Sequence, residues 1–242
     1  MFDRKKYKKF AHMQLQNRRT VPALMTLITK IVLLLLLLPA LKNVPDLLDA
    51  ALRAAHTNNL LAYQEAVNAY SNAPAVNLAE WLIFFAVAIF AVAQLCVYLK
   101  MSRGPEPVQL GDFFAGFSHW WRAVLAMIWQ RLWIFLWALL FFIPGIIKAI
   151  AYSQLFFIIA EFPNIPIRTA LTISKKITQG YKADLFVMHV SFIGWQLLGF
   201  VTCGIANLWI TPYITMTQVN AYHALMKQAL EAHVITYEEI NY

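Results

Sequence analysis

Apolar residues in this chain come in long unbroken blocks, where a water-soluble helix would show one apolar face. A helix needs about 20 apolar residues to cross a hydrocarbon core roughly 30 Å thick. Val21–Leu41 meets this, centred on the run Ile31–Leu38 with Lys30 as its one charge, and Trp81–Leu99 meets it with none. Ala123–Ala160 is long enough for two passes and is interrupted by Pro144-Gly145. Leu185–Met226 is a second double block, with Gly204 at its turn. The pattern predicts an all-α transmembrane bundle of six spans arranged as three hairpins. The return pass from Gly145 to Glu161 offers only about 22 Å of helix. The hairpin at 123–160 therefore reads either as two full spans or as a shallow re-entrant pair whose break is covered by protein.

Composition agrees. Of 242 residues, 60% are hydrophobic and 13% charged, and the mean hydropathy is +0.57. Soluble domains run near half apolar and about a quarter charged, so an ordinary soluble fold and a disordered chain are both excluded. Two cysteines make no disulfide framework. Cys96 and Cys203, each inside an apolar block, read as small buried side chains.

The net charge of +8 is unevenly spread. Residues 1–19 hold Arg4, Lys5, Lys6, Lys8, Lys9, Arg18 and Arg19 against Asp3. Lys100, Arg103 and Arg122 follow the second span, Arg168, Lys175, Lys176 and Lys182 the fourth, and Lys227 the last. These are fifteen of the 20 basic residues, all on one side of an alternating topology. The stretch 42–80 has Lys42 and Arg53 against Asp46, Asp49, Glu65 and Glu80. The positive-inside rule puts both termini in the cytoplasm and 42–80 outside. The chain divides into a basic segment 1–20, span 21–41, exterior segment 42–80, span 81–99, loop 100–122, hairpin 123–160, cytoplasmic amphipathic segment 161–184, hairpin 185–226 and tail 227–242. The basic flanks suit anionic lipid headgroups, and no nucleic-acid-binding motif accompanies them. The N-terminal run is too long, and Leu38-Pro39-Ala40-Leu41 too poor a cleavage site, for a removed signal peptide. The end Glu239-Ile240-Asn241-Tyr242 carries no lipidation box.

Outside the membrane, Pro45 fits the first turn of a helix over Asp46–His56. Asn58 or Asn59 can start a second toward Tyr70, ended by Ser71-Asn72-Ala73-Pro74. This exterior pair reads as a small cap or as a ligand-recruiting lobe. From Ile165 to Thr178, Ile167, Ala170, Leu171, Ser174 and Ile177 share one face. Arg168, Thr172, Lys175 and Lys176 share the other, and Gly180 follows as a terminator. Such a helix reads as lying flat in the headgroup layer, with docking of a protein partner as the alternative.

The last two hairpins are alike: Trp137-Ala-Leu-Leu-Phe-Phe-Ile-Pro-Gly-Ile146 lies over Trp195-Gln-Leu-Leu-Gly-Phe-Val-Thr-Cys-Gly-Ile205. This predicts parallel repeats. A polar residue follows each turn glycine by three, Lys148 in one copy and Asn207 in the other. Lys148 and Tyr152 are four apart, and Asn207, Thr211, Thr215, Gln218 and Tyr222 keep three-and-four spacing. This polar stripe is the candidate site. Interhelical hydrogen bonding, worth about 0.6 to 2 kcal/mol per contact, is one reading. A polar path for a small solute, with Pro212 freeing a carbonyl within it, is the other. Lys148, one turn from the predicted outer surface, can also snorkel.

The catalytic inventory is thin. No His-Glu-x-x-His, nucleophile elbow or Walker loop is present, and no metal, cofactor or catalytic set is predicted. Asp46 and Asp49 read as solvated surface acids. Glu161 and Asp184, at span ends, read as helix anchors, and His189 and His223 as bundle histidines ahead of a proton relay.

Several phrases resemble a family of bacterial integral membrane proteins known only as a domain of unknown function. They are Leu140-Phe-Phe-Ile-Pro-Gly-Ile-Ile-Lys148, Ala151-Tyr-Ser153, Gln179-Gly-Tyr-Lys182, Leu185-Phe186, Ser191-Phe-Ile-Gly-Trp195, Gly204-Ile205 and Leu208-Trp-Ile-Thr-Pro-Tyr213. The resemblance covers most of 105–225 and puts the recurring residues at Pro144, Gly145, Lys148, Tyr152, Lys182, Gly194, Trp195, Gly204, Pro212 and Tyr213. It implies a multi-pass bacterial cytoplasmic membrane protein and brings no substrate, cofactor or catalytic residue. The expectation is a non-enzymatic protein that supports envelope or transport processes by binding lipid or a partner. A small permease with its path between the fourth and sixth spans is the alternative, and a lipid-acting enzyme a more distant one.

Overall fold

The computed structural model describes residues 2–57 and 59–240, with the backbone alone of Phe142. Asn58, one of the two expected helix starts, and Asn241-Tyr242 lie outside the described residues. Every regular element described is helical: α1 (Arg4–Leu15), α2 (Thr20–Leu41), α3 (Val44–His56), α4 (Leu60–Ser71), α5 (Pro74–Arg103), α6 (Leu110–Ala115), α7 (Trp120–Leu140), α8 (Phe142–Ala151), α9 (Leu155–Glu161), α10 (Ile167–Ile177), α11 (Lys182–Val190), α12 (Ile193–Val201), α13 (Asn207–Glu231) and α14 (Tyr237–Ile240). A 3-10 turn at Gly116–His119 leads into α7.

The chain forms two compact units, Ile28–Val87 and Met1–Leu27 with Ala88–Tyr242. In the smaller, α3 starts with Pro45 in its first turn. The Asn59 side chain caps α4 by accepting the N–H groups of Leu61 and Ala62, satisfying donors that a helix start leaves unpaired. Ala40, Val76 and Ala79 form its small core, with Tyr70 and Ala73 packed against them.

Among the described residues, five stretches are long and apolar enough to cross a membrane: Thr20–Leu41, Pro74–Arg103, Leu110–Leu140, Ile143–Glu161 and Lys182–Val201. The expected sixth span falls on α13, which has 25 residues, or about 37 Å of helix. It is long enough but not apolar enough. Protein surrounds much of it instead: Ile210, Met216, Thr217, Val219, Ala221, Tyr222, Leu225 and Met226 are all buried. A helix held inside a bundle does not need the all-round apolar surface that lipid demands.

In the larger unit, α1 packs along α13. Asp3 caps α1 through the N–H groups of Lys5 and Lys6. Tyr7, Ala11 and Leu15, four apart, are its buried face. Asn220 on α13 donates to Gln14 at 2.8 Å, and Lys8 donates to Ser191 at 2.9 Å with its ammonium 4.5 Å from the Phe192 ring. Burial, with Arg4 beside it, pushes the Lys8 ammonium below its ordinary pKa. Arg18 donates to the carbonyls of Met101, Gly104 and Glu106, closing the end of α5, where carbonyls lack helical partners. The basic N-terminal segment is thus a docked helix. A shared cavity of about 570 Å³ is lined by Asp3, Lys6 and Tyr7 together with Lys227, Gln228 and Glu231, which puts the two ends of the larger unit side by side.

The first hairpin breaks at two points. Pro144 does not end a helix: the chain turns at Phe141, and Pro144 sits in the first turn of α8, where its missing N–H has no partner to lose. The second break, Tyr152–Gln154, separates α8 from α9. It leaves the Ala151 carbonyl to accept from the buried Ser174 and Thr178 hydroxyls of α10, at 2.8 and 3.3 Å. Ala170, Leu171, Ile173, Ser174 and Ile177 are all buried. The apolar face of α10 is therefore spent on the protein and not on lipid, because the break supplies a carbonyl that only a neighbouring hydroxyl satisfies. Replacing Ser174 by alanine is expected to cost about 1–2 kcal/mol, read as a lowered Tm in detergent; an unchanged Tm would mean Thr178 alone satisfies the break.

Candidate functional site

Three tryptophans four residues apart, Trp129, Trp133 and Trp137, share one face of α7. Across from them α8 supplies Lys148 and, just past its end, Tyr152. From the adjacent α10 come Arg168, Leu171, Thr172 and Lys175, again at three-and-four spacing. Together they line an open groove of about 580 Å³. The Lys148 ammonium lies 4.2 Å from the centre of the Trp137 ring and 5.9 Å from that of Tyr152. The Arg168 guanidinium lies 5.2 Å from the Trp129 ring. Gln130 ties the walls together, donating to the Tyr152 carbonyl at 2.9 Å.

Among the described residues, no acidic one lines this groove. Among the described residues, none of its three cations forms an ion pair. The negative ring faces hold two of them by cation–π attraction, worth about 0.5–2 kcal/mol each. That leaves charge for an anion. Beside the groove the α7–α8 surface is apolar and exposed at Leu136, Leu140, Ile143 and Ile147. An anionic headgroup and an acyl chain both find matching surface here.

A second polar cluster ties α5, α9 and α13. The Glu161 carboxylate pairs with Arg103 at 2.5 Å and accepts from the fully buried Tyr222 hydroxyl. Tyr222 stacks on Phe157 at 5.4 Å. Next to it, His223 Nε2 and Ser102 Oγ are 2.7 Å apart. Ser102 also donates to the Leu99 carbonyl at 2.7 Å. A hydroxyl has one proton, so with Leu99 as its acceptor Ser102 receives its second bond from His223 Nε2–H. With that assignment the pair ties the end of α5 to α13.

The expected stripe is distributed over different places. Lys148 and Tyr152 belong to the tryptophan groove. On α13, Tyr222 bonds Glu161, and Gln218 meets His189 Nε2 at 3.4 Å. Asn207 lies across the second turn from Gly199, so close that a Cβ on that glycine would collide with its amide. Thr211 and Thr215 are half-buried on the same helix, and Pro212 is accommodated without ending it. Gly204 has φ +86°, a left-handed turn that favours glycine, whereas Gly145 is helical and packs on Ala138; the paired glycines of the repeat do different work. Cys203 is exposed in the turn, not buried as expected, because the helix ends at Val201 and the turn has φ +49° at Cys203 itself. His189 Nδ1 lies 2.7 Å from the Leu185 carbonyl. The sequence puts Arg168 and Lys175 on the polar face of a helix flat in the headgroup layer and singles out Trp137 only as part of the repeat, leaving Trp129 and Trp133 unmarked. The four-residue Trp spacing opposite an acid-free basic face was the available signal.

These features define a polytopic helical membrane protein. Residues 139–229 match a family described as protein of unknown function (DUF975). No curated protein and no solved structure matches the chain.

Proposed function

We propose that this is a non-enzymatic protein of the bacterial cytoplasmic membrane that holds an anionic phospholipid, with both termini on the cytoplasmic side. The observation that carries the reading is the groove of Lys148, Arg168 and Lys175: three cations, no acid, three tryptophans, and exposed apolar surface alongside. Cations beside tryptophans are the usual furniture of a headgroup layer. The orientation is supported by the sidedness of the basic residues and by the cavity in which Asp3 and Lys6 meet Lys227 and Glu231.

The test is lipid retention. The purified chain is expected to carry phosphatidylglycerol in preference to phosphatidylethanolamine by native mass spectrometry. Each cation near an anionic lipid is worth about 1 kcal/mol, so Arg168→Gln with Lys175→Gln is expected to weaken that preference roughly 30-fold. Both side chains are exposed, so the Tm should hold. Equal retention of the two lipids by the native chain, or an unchanged preference in the double variant, would overturn the reading. Displacement by glycerol phosphate alone would show that the headgroup, without its chains, suffices.

A further inference from the structure

The two hairpin turns of the larger unit are the wrong chemistry for water. At the first, Leu139, Leu140, Phe141 and Ile143 are 66–72% exposed. At the second, Phe200, Val201 and Ile205 are 84, 76 and 64% exposed. From Ile134 to Ile147 the only polar atom on a side chain is the Trp137 indole N–H. A turn emerging into water is built from Gly, Asn, Asp, Ser and Pro, and large exposed apolar patches are rare on wet surfaces.

The turns satisfy part of their backbone internally. In the second, Thr202 donates to Leu198 at 2.9 Å and accepts from the Ala206 N–H at 3.1 Å. Cys203, Gly204 and Ile205 donate to Phe200, Gly199 and Thr202. In the first, Phe141 alone separates two helices. Its N–H donates to Trp137, Gly145 donates back to Phe141, and Pro144 has no N–H to satisfy. Hydrocarbon tolerates irregular backbone only when its polar groups are satisfied internally.

Depth follows from where charge begins. Arg131 is exposed on α7 between the exposed Ile128, Leu132 and Phe135, and ten residues of helix, about 15 Å, separate it from Phe141. The bond from Gln130 to the Tyr152 carbonyl lies at a similar depth on the returning arm. At the second hairpin, Trp195, Trp209 and Tyr213 line a groove with His12 and Arg19, about 7–14 Å of helix from the turn. Each hairpin thus carries an apolar tip above a belt of aromatics and polar groups: about 15 Å of helix on the first arm of the α7–α8 hairpin, about 9 Å on its return before Lys148, and about 9 Å at the second hairpin before the exposed Gln196. These heights stay within half of a hydrocarbon core of roughly 30 Å. Were α7 to cross fully, the exposed Arg131 would stand near the bilayer centre, at a cost of about 3 kcal/mol or more.

We propose that the α7–α8 and α12–α13 hairpins are re-entrant. Both enter from the face that carries Arg131, Arg168 and Arg19 and turn back within the membrane, with the exposed apolar side chains of their tips facing acyl chains and the turn backbone covered by those side chains. The inference does not depend on lipid selectivity in the tryptophan groove.

Cys203 is a native probe at the second tip. In sealed proteoliposomes, a membrane-impermeant maleimide is expected to leave it unmodified from either side and to modify it fully in detergent, the site being read by peptide mass spectrometry. A nitroxide attached at Cys203 in the C96S chain, or at the first tip in F141C lacking both native cysteines, is expected after reconstitution to collide with oxygen far more than with a water-soluble nickel chelate, as within the membrane. Modification from the side opposite the basic face would mean full spans and overturn the proposal. Modification from the basic side would place the tips outside the membrane and overturn it equally. A Cys203–Cys203 cross-link would do the same by showing that a second copy covers them.

Discussion

Glu161→Ala is expected to lower the stability of the chain by about 2–3 kcal/mol. The carboxylate is the acceptor for the fully buried Tyr222 hydroxyl, which would be stranded without water. Arg103, whose side chain is 59% exposed, would return to solvent, so its loss adds little. Tyr222→Phe should cost less, about 1 kcal/mol, because Glu161 keeps its arginine. Thermal unfolding in detergent reads both. Equal losses for the two variants would mean that the stranded hydroxyl is not the dominant cost.

Gly145→Val is expected to cost at least as much, about 2–4 kcal/mol, by a different route. A Cβ at Gly145 would lie 2.8 Å from the Ala138 Cβ and 2.9 Å from its Cα. The second distance is to backbone, which cannot rotate away, so α7 and α8 would have to part just below their shared turn. Close approach of helices at small residues is a principal source of packing energy inside a membrane. Gly194→Ala is the matched control: nothing lies within 4 Å of a Cβ there, and it should be neutral or slightly stabilising. A Gly145 variant that melts with the native chain would show that the helices part at no cost.

The apolar blocks, Pro45, Asn59 and the division of α10 into an apolar and a basic face were legible because each follows from local chemistry that no neighbour needs to supply. Other features depend on partners distant in sequence. The α13 helix reads as a span by length, but its polarity makes sense only once α1 and α9 are seen against it. Lys148 reads as one end of a stripe with Asn207. Tyr152 is its neighbour as their four-residue spacing suggests, and the other is Trp137, brought across from α7. Pro144 suggested an end and marks a beginning, since proline is equally at home just inside a helix start. Arg131 stood within an apolar block, and its exposure, which sets the depth of the first hairpin, is visible only in three dimensions.

The hydroxyls that close the gap between α8 and α9 also impose an order on biosynthesis. Ribosomes deliver the chain from its N-terminus, so the Ala151 carbonyl leaves well before Ser174 and Thr178. Until Ser174 has emerged, the Ala151 carbonyl of the nascent first hairpin lacks its hydroxyl partner. The hairpin is therefore complete only once α10 packs against its base, and a chain truncated before residue 174 should leave the first hairpin exposed to quality-control proteolysis.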